Sequence, residues 1–180
     1  MKNSKKIVDF AQLGDAVLRL QAKRVDDVSS ADVEQIIETM LTELSGSNGV
    51  GLAAPQIFHS VCIIIVASRP SKRYPFAPEM EPVVMINPSF EVLSKNRNKD
   101  WEGCLSIPGI RALVPRYEKI KILYADRQGC PQELVAEGFV ARVFQHEYDH
   151  LNGLVYLDRV ENNKDIISET EFQKLIALKA

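Results

Sequence analysis

The sequence predicts an α+β fold in which strands outnumber helices, and three observations carry it. Val33, Ile36, Ile37, Met40, Leu41 and Leu44 recur at helical spacing after Ser29 and Ser30, with Asp32 and Glu34 in the first turn. The apolar run from Val61 to Val66 reads as a strand. Strand character returns over 118–125, where Asp126-Arg127-Gln128-Gly129 supplies the turn of a hairpin ending near Glu137.

The N-terminus carries Lys2, Lys5 and Lys6, but Asp9 interrupts Ile7-Val8, so the apolar stretch of a signal peptide is not expected. The first helix, over the Val33 to Leu44 pattern, is assigned a structural role. Residues 69–82 hold Pro70, Pro75, Pro78 and Pro82 and read as an irregular loop before a short strand at Val83 to Asn87. After the hairpin, Phe139, Val140, Val143 and Phe144 make the next helix apolar enough to be buried, and Gly153 gives it a stop. Ser168 and Glu171 form a capping box ahead of Phe172, Leu175 and Ile176, which predicts a short amphipathic C-terminal helix.

At 180 residues and 46% hydrophobic, the chain has the material for one domain across 1–180 with a substantial core. The 22 basic and 24 acidic residues leave a net charge of −2, which does not favour a general nucleic-acid-binding surface. Three scattered cysteines do not make a disulfide framework and suit a reducing compartment. No run is long enough to span a membrane, and the expected location is the cytoplasm.

The chemistry concentrates in Gln145-His146-Glu147-Tyr148-Asp149-His150, which holds two of the three histidines. Two imidazoles four residues apart on a helix share a focus, where they can bind one divalent metal, and Glu147 beside them can take a proton from activated water. Such residues also form weak charge pairs on solvated helices, but on a buried helix they need partners. The pattern HExxHxxGxxH holds from His146 until its last position, where Tyr156 stands, so a metzincin protease is disfavoured. Glu169, nineteen residues after His150, is the third ligand of a competing thermolysin-like reading; otherwise it is an acidic residue at a helix start.

A second candidate ligand lies in Trp101-Glu102-Gly103-Cys104-Leu105-Ser106. A thiolate from Cys104 binds a transition metal well, although a lone cysteine is more often a small buried side chain. The third element, Gly49-Val50-Gly51-Leu52-Ala53-Ala54-Pro55-Gln56, matches the spacing of a dinucleotide fingerprint. It follows a helix and leads into a strand, the reverse of a nucleotide loop. Alternate glycines instead suit close approach by a ligand or another strand.

Together these motifs resemble the peptide deformylase signatures GxGxAAxQ, EGCxS and QHExDH, complete here at Gly49 to Gln56, Glu102 to Ser106 and Gln145 to His150. The resemblance covers roughly residues 10 to 160. It implies antiparallel sheets around a central buried metal-binding helix, and removal of the formyl group from N-terminal formyl-methionine of newly made polypeptides with release of formate. Cys104, His146 and His150 would hold one divalent ion, typically Fe(2+), with Ni(2+), Co(2+) or Zn(2+) able to replace it. Glu147 would be general base and acid, while the Gln56 amide and the Leu105 backbone N–H would stabilise the oxyanion. Gly49, Val50 and Gly51 would receive the peptide backbone as an added strand.

Two further readings follow. A non-catalytic structural metal module would need a fourth protein ligand from His59, Cys62 or Cys130. Transient ribosome contact suits an enzyme of nascent chains, yet residues 158–180 hold four basic and five acidic side chains, not a basic tail.

The sequence also departs from the best-known bacterial members of the family. Their methionine pocket has apolar residues where Arg142 and Asp100 align here, alongside Val50, Phe139 and Val143. Either the Arg142 stem lines the pocket while its guanidinium reaches solvent, or Arg142 pairs with Asp100 and shortens the pocket.

Overall fold

The computed structural model describes residues 9–70, 74 and 77–178, so the N-terminal lysines and part of the proline-rich stretch lie outside the described residues. Helix α1 spans Ala31–Gly46 and is capped by Ser30, whose hydroxyl accepts from Val33 N at 3.4 Å. Five antiparallel strands follow one another across a sheet in the order β1 (Gly51–Ala53), β2 (Ile63–Ser68), β3 (Met80–Val92), β6 (Lys119–Ala125) and β7 (Pro131–Glu137). A second antiparallel sheet joins β4 (Arg97–Cys104), β5 (Ile107–Tyr117) and β8 (Ile166–Ser168). Helix α2 (Gly138–Leu151) packs against β1 and β2 of one sheet and β5 of the other, as a central helix should; α3 (Glu169–Ala177) closes the chain.

Strand β2 explains its own apolar run. Ile64 and Val66 join α2 residues Ala141, Val143 and Phe144 in one core, whereas Ile63 and Ile65 meet Ile37, Met40 and Leu44 of α1 in another. A strand covered by a helix on each face has no polar side to alternate with.

Two differences from the sequence reading have local causes. The strand expected at Val83 to Asn87 already starts at Met80, within the stretch read as an irregular loop, and runs on to Val92 through an irregularity at Asn87 (φ 51°), whose side chain exchanges two 2.8 Å hydrogen bonds with the Val25 backbone. No strand was legible over 97–117, yet β4 and β5 pair from Arg97 and Tyr117 up to Cys104 and Ile107. Strand β4 is exposed along Arg97 to Asp100, so it lacks the apolar alternation that marks a strand. The hairpin and the C-terminal helix of the sequence reading are present, the latter capped by Ser168 accepting from Glu171 N at 3.2 Å. No helix among the described residues is long and apolar enough to cross a membrane.

Candidate metal centre and active site

Two elements with opposite characters meet at the candidate site. Helix α2 presents His146 and His150 from one face, their ring centroids 5.3 Å apart. The tight turn between β4 and β5 presents Cys104 from the facing sheet, and its sulfur lies 3.3 Å from His150 Nε2. Ligand atoms of Cys104, His146 and His150 all lie within 4.8 Å of one another, and all three residues are buried. Burial opposes a thiolate here, but the charges and hydrogen bonds of His150 and His146 overcome it and hold the Cys104 thiol well below its ordinary value.

The orientation of His146 is fixed from behind. Its Nδ1 donates to Glu102 Oε2 at 2.9 Å, leaving Nε2 to face the site. Glu102 also accepts from Arg116 (2.9 and 3.0 Å) and from Arg142 (2.8 Å). Arg116 continues to Asp149 at 2.6 Å, and Asp149 to Arg159 at 2.7 Å. Gln145 clips α2 to β5: its amide accepts from Tyr117 N at 3.0 Å and donates to Tyr117 O at 2.9 Å. These supporting roles of Glu102, Gln145 and Asp149 were missed in the sequence, although all three residues stand inside its motifs.

Across the cleft, Gly51 lies against Glu147: an added Cβ would stand 2.8 Å from the Glu147 Cγ. Burial, opposed by nearby His146 and His150, pushes the Glu147 carboxyl up to about 7. Its Oε2 is buried with no hydrogen-bond partner among the described residues. Gln56 sits in the short 3-10 turn Ala54–Ile57, where its Oε1 accepts from Ala53 N at 2.9 Å. That bond turns Nε2 toward Cys104 Sγ and Ser106 Oγ, both at 3.3 Å. Leu105 follows Cys104 at the hairpin turn and lines the cleft.

A cleft opens over these groups, and Gly49, Val50, Gly51, Phe139, Arg142 and Val143 all line it. Asp100 does not: it is exposed, and its carboxylate accepts from the Trp101 backbone at 2.8 Å. Arg142 lines the cleft, but the structure overturns where both readings placed its guanidinium. Its guanidinium neither reaches solvent nor pairs with the Asp100 carboxylate; it donates to Glu102, to Val114 O at 2.7 Å and to Asn98 O at 2.7 Å, and touches only the backbone oxygen of Asp100. A buried carboxylate gains more from a guanidinium than one that keeps its water.

The competing ligand sets do not assemble. Glu169 starts α3 and bonds Arg111 Nε at 2.6 Å. His59 and Cys130 are exposed, Cys62 Sγ contacts Ala22 O at 3.3 Å, and none joins the three-residue cluster among the described residues. Tyr156, standing where a metzincin histidine would be, is buried with its ring stacked 5.8 Å from His146.

The sequence profile of a family described as polypeptide deformylase matches residues 7–165. The chain belongs to the polypeptide deformylase family. It is 47% identical over 170 residues to peptide deformylase 2 of Nostoc sp. (strain PCC 7120), an alignment covering 94% of this chain and 95% of the relative. Among solved structures it resembles the class I type b peptide deformylase of Acinetobacter baumannii bound to Met-Ala-Ser, with TM-score 0.82, 43% identity, and 86% and 98% of the two chains covered. The peptide deformylase of Synechococcus elongatus in complex with actinonin gives TM-score 0.79 at 41% identity, covering 92% and 85%. Like its family, the chain is a metal-dependent hydrolase acting on N-formyl-methionyl peptides.

Proposed function

We propose that this deformylase removes the formyl group from the N-terminal methionine of newly made polypeptides and releases formate, with Glu147 moving the proton. The observation that carries the reading is the buried, unpartnered Oε2 of Glu147, a residue that lines the cleft next to the Cys104, His146 and His150 donors. A thiolate and two imidazoles suit several borderline divalent ions, and iron(II) is the proposed occupant in the cell, with nickel, cobalt or zinc as substitutes. Such an ion, when bound, acidifies a neighbouring water and polarises the formyl carbonyl.

The side chains then divide the work. Glu147 accepts the proton of the attacking water and returns it to the leaving amine, a role its near-neutral pKa suits. The Gln56 amide, held by Ala53 N, and the Leu105 N–H stabilise charge growing on the carbonyl oxygen. Gly49, Val50 and Gly51 offer the peptide an edge to lie against, and the Arg142 stem, with Phe139 and Val143, receives the methionine side chain. We infer one catalytic domain over 1–180, acting in the cytoplasm on nascent chains. Ribosome contact gains little support from the C-terminal segment, where Glu161, Asp165 and Glu169 pair with cations of the chain itself.

The test is formate release from a formyl-Met peptide by metal-loaded protein, run beside cleavage of an internal peptide bond. Formate alone is expected. Glu147→Ala should keep its metal yet lose roughly 10²-fold or more in turnover, whereas Cys104→Ala should lose metal. A fully active Glu147→Ala, or a Cys104→Ala with native metal content, refutes these roles; metal analysis after anaerobic purification tests the choice of iron.

A further inference from the structure

The described C-terminal segment, β8 and α3, lies beyond the residues that the family profile matches. Its side chains nevertheless reach the back of the cleft. Arg111 of β5 connects them: its side chain is fully buried, and Glu169 at the start of α3 holds it through Nε at 2.6 Å and Nη2 at 3.3 Å. The same guanidinium lies 4.5 Å from the ring centre of Phe172 on α3 and 5.5 Å from that of Tyr74, and Nη1 donates to the Tyr74 hydroxyl at 3.2 Å.

Tyr74 is a wall of the cleft. It packs 5.1 Å from Phe139, which also lines the cleft. Phe172 makes a second connection, with its ring 5.8 Å from that of Trp101, another lining residue. Two routes therefore run from α3 to one side of the cleft: Glu169 through Arg111 to Tyr74, and Phe172 directly to Trp101. Neither route includes Cys104, His146, His150 or Glu147.

A guanidinium shielded from water adopts the position its partners dictate, since moving it away from Glu169 would leave a buried charge unpaired. Packing on Phe172 likewise restricts the Trp101 ring. We propose that Glu169 and Phe172 are positioning residues that hold the Tyr74 and Trp101 wall in place, so that α3 sets how tightly the formylated peptide is bound and not how fast it is hydrolysed. This rests on reading the cleft as the peptide site.

Glu169→Gln and Phe172→Ala provide the test, in the full chain with metal content measured. Each should raise KM for a formyl-Met tripeptide by between roughly 2- and 30-fold, with kcat and metal content near wild type. Glu169→Asp should recover part of the Glu169→Gln loss. Trp101 is the single tryptophan, so its emission reports the wall directly, and Phe172→Ala should shift it. In a Tyr74→Phe background, Glu169→Gln should add less to KM than it does alone. Unchanged KM with only a lower melting temperature would reduce α3 to a buttress and overturn the proposal. A joint fall in kcat and metal content would also overturn it, by placing the effect at the metal site. Absence of formate release by the wild type would instead defeat the functional reading; the Trp101 emission change on adding the tripeptide, weaker in Glu169→Gln than in wild type, then decides this proposal by itself.

Discussion

The two sides of the cleft achieve their geometry by opposite means. On the β1 side, Gly49 and Gly51 keep side-chain volume out, and a backbone N–H of Ala53 aims Gln56. On the β4–β5 side, Glu102, Arg116, Arg142 and Asp149 are all buried and fully engaged with one another. The first side is intolerant of an added atom. The second is intolerant of a lost charge, because each partner removed strands another in a medium that solvates it poorly.

The largest expected effect is on the charged side. Glu102→Gln should destabilise the fold by about 3–5 kcal/mol, since two buried guanidiniums lose a carboxylate, and should weaken metal retention through His146. Denaturant unfolding and metal analysis check both. Burial alone would raise the Glu102 pKa, but Arg116 beside it, with the hydrogen bonds of His146 and Arg116, carries it below its ordinary 4.5. A carboxyl with a depressed folded value contributes stability above its unfolded value and loses it as pH falls toward the folded one. The gap between wild type and Glu102→Gln should therefore be full at pH 7 and narrow below about 4.5.

On the glycine side, Gly51→Ala places a methyl 2.8 Å from the Glu147 Cγ and 2.9 Å from its Cδ. Glu147 must turn away, so turnover should fall by about 10²- to 10⁴-fold, as for loss of a general base, with metal content unchanged. Metal loss in this variant would merge the two sides into one unit and break the comparison. Gln56→Leu should cost about 2.7–4 kcal/mol in the barrier with a smaller change in KM; a rise in KM alone would move Gln56 from catalysis to substrate positioning. The smallest effect belongs to Asp100→Leu, expected within about 0.5 kcal/mol of wild type as an exposed substitution. Combined with Arg142→Leu it should be additive, whereas Arg142→Leu and Glu102→Gln should couple.

The site was legible where chemistry demands a residue type at a fixed spacing. His146 and His150 share a focus on any helix, and Glu147 follows from the same geometry. Cys104 and Gln56 needed the resemblance, because nothing local distinguishes a ligand cysteine at a hairpin turn from a small buried side chain. Likewise α1, β2 and the hairpin of β6 and β7 show in their apolar spacing, while β4 does not, since its outer half faces water.

By itself the sequence determined which helix would carry the imidazoles, that it would be buried, and that three separate motifs would have to meet. Tertiary structure decided where the charges go. Sequence spacing offered Arg142 either solvent or Asp100; it bonds Glu102 instead because β4 and β5 bring that carboxylate, and the oxygens of Asn98 and Val114, to one buried point. Glu169 was taken from the metal in the same way, by an arginine fifty-eight residues away. Ion pairing in a low-dielectric interior depends on which partners are packed within a few ångströms, and that is a property of the folded chain and not of sequence spacing.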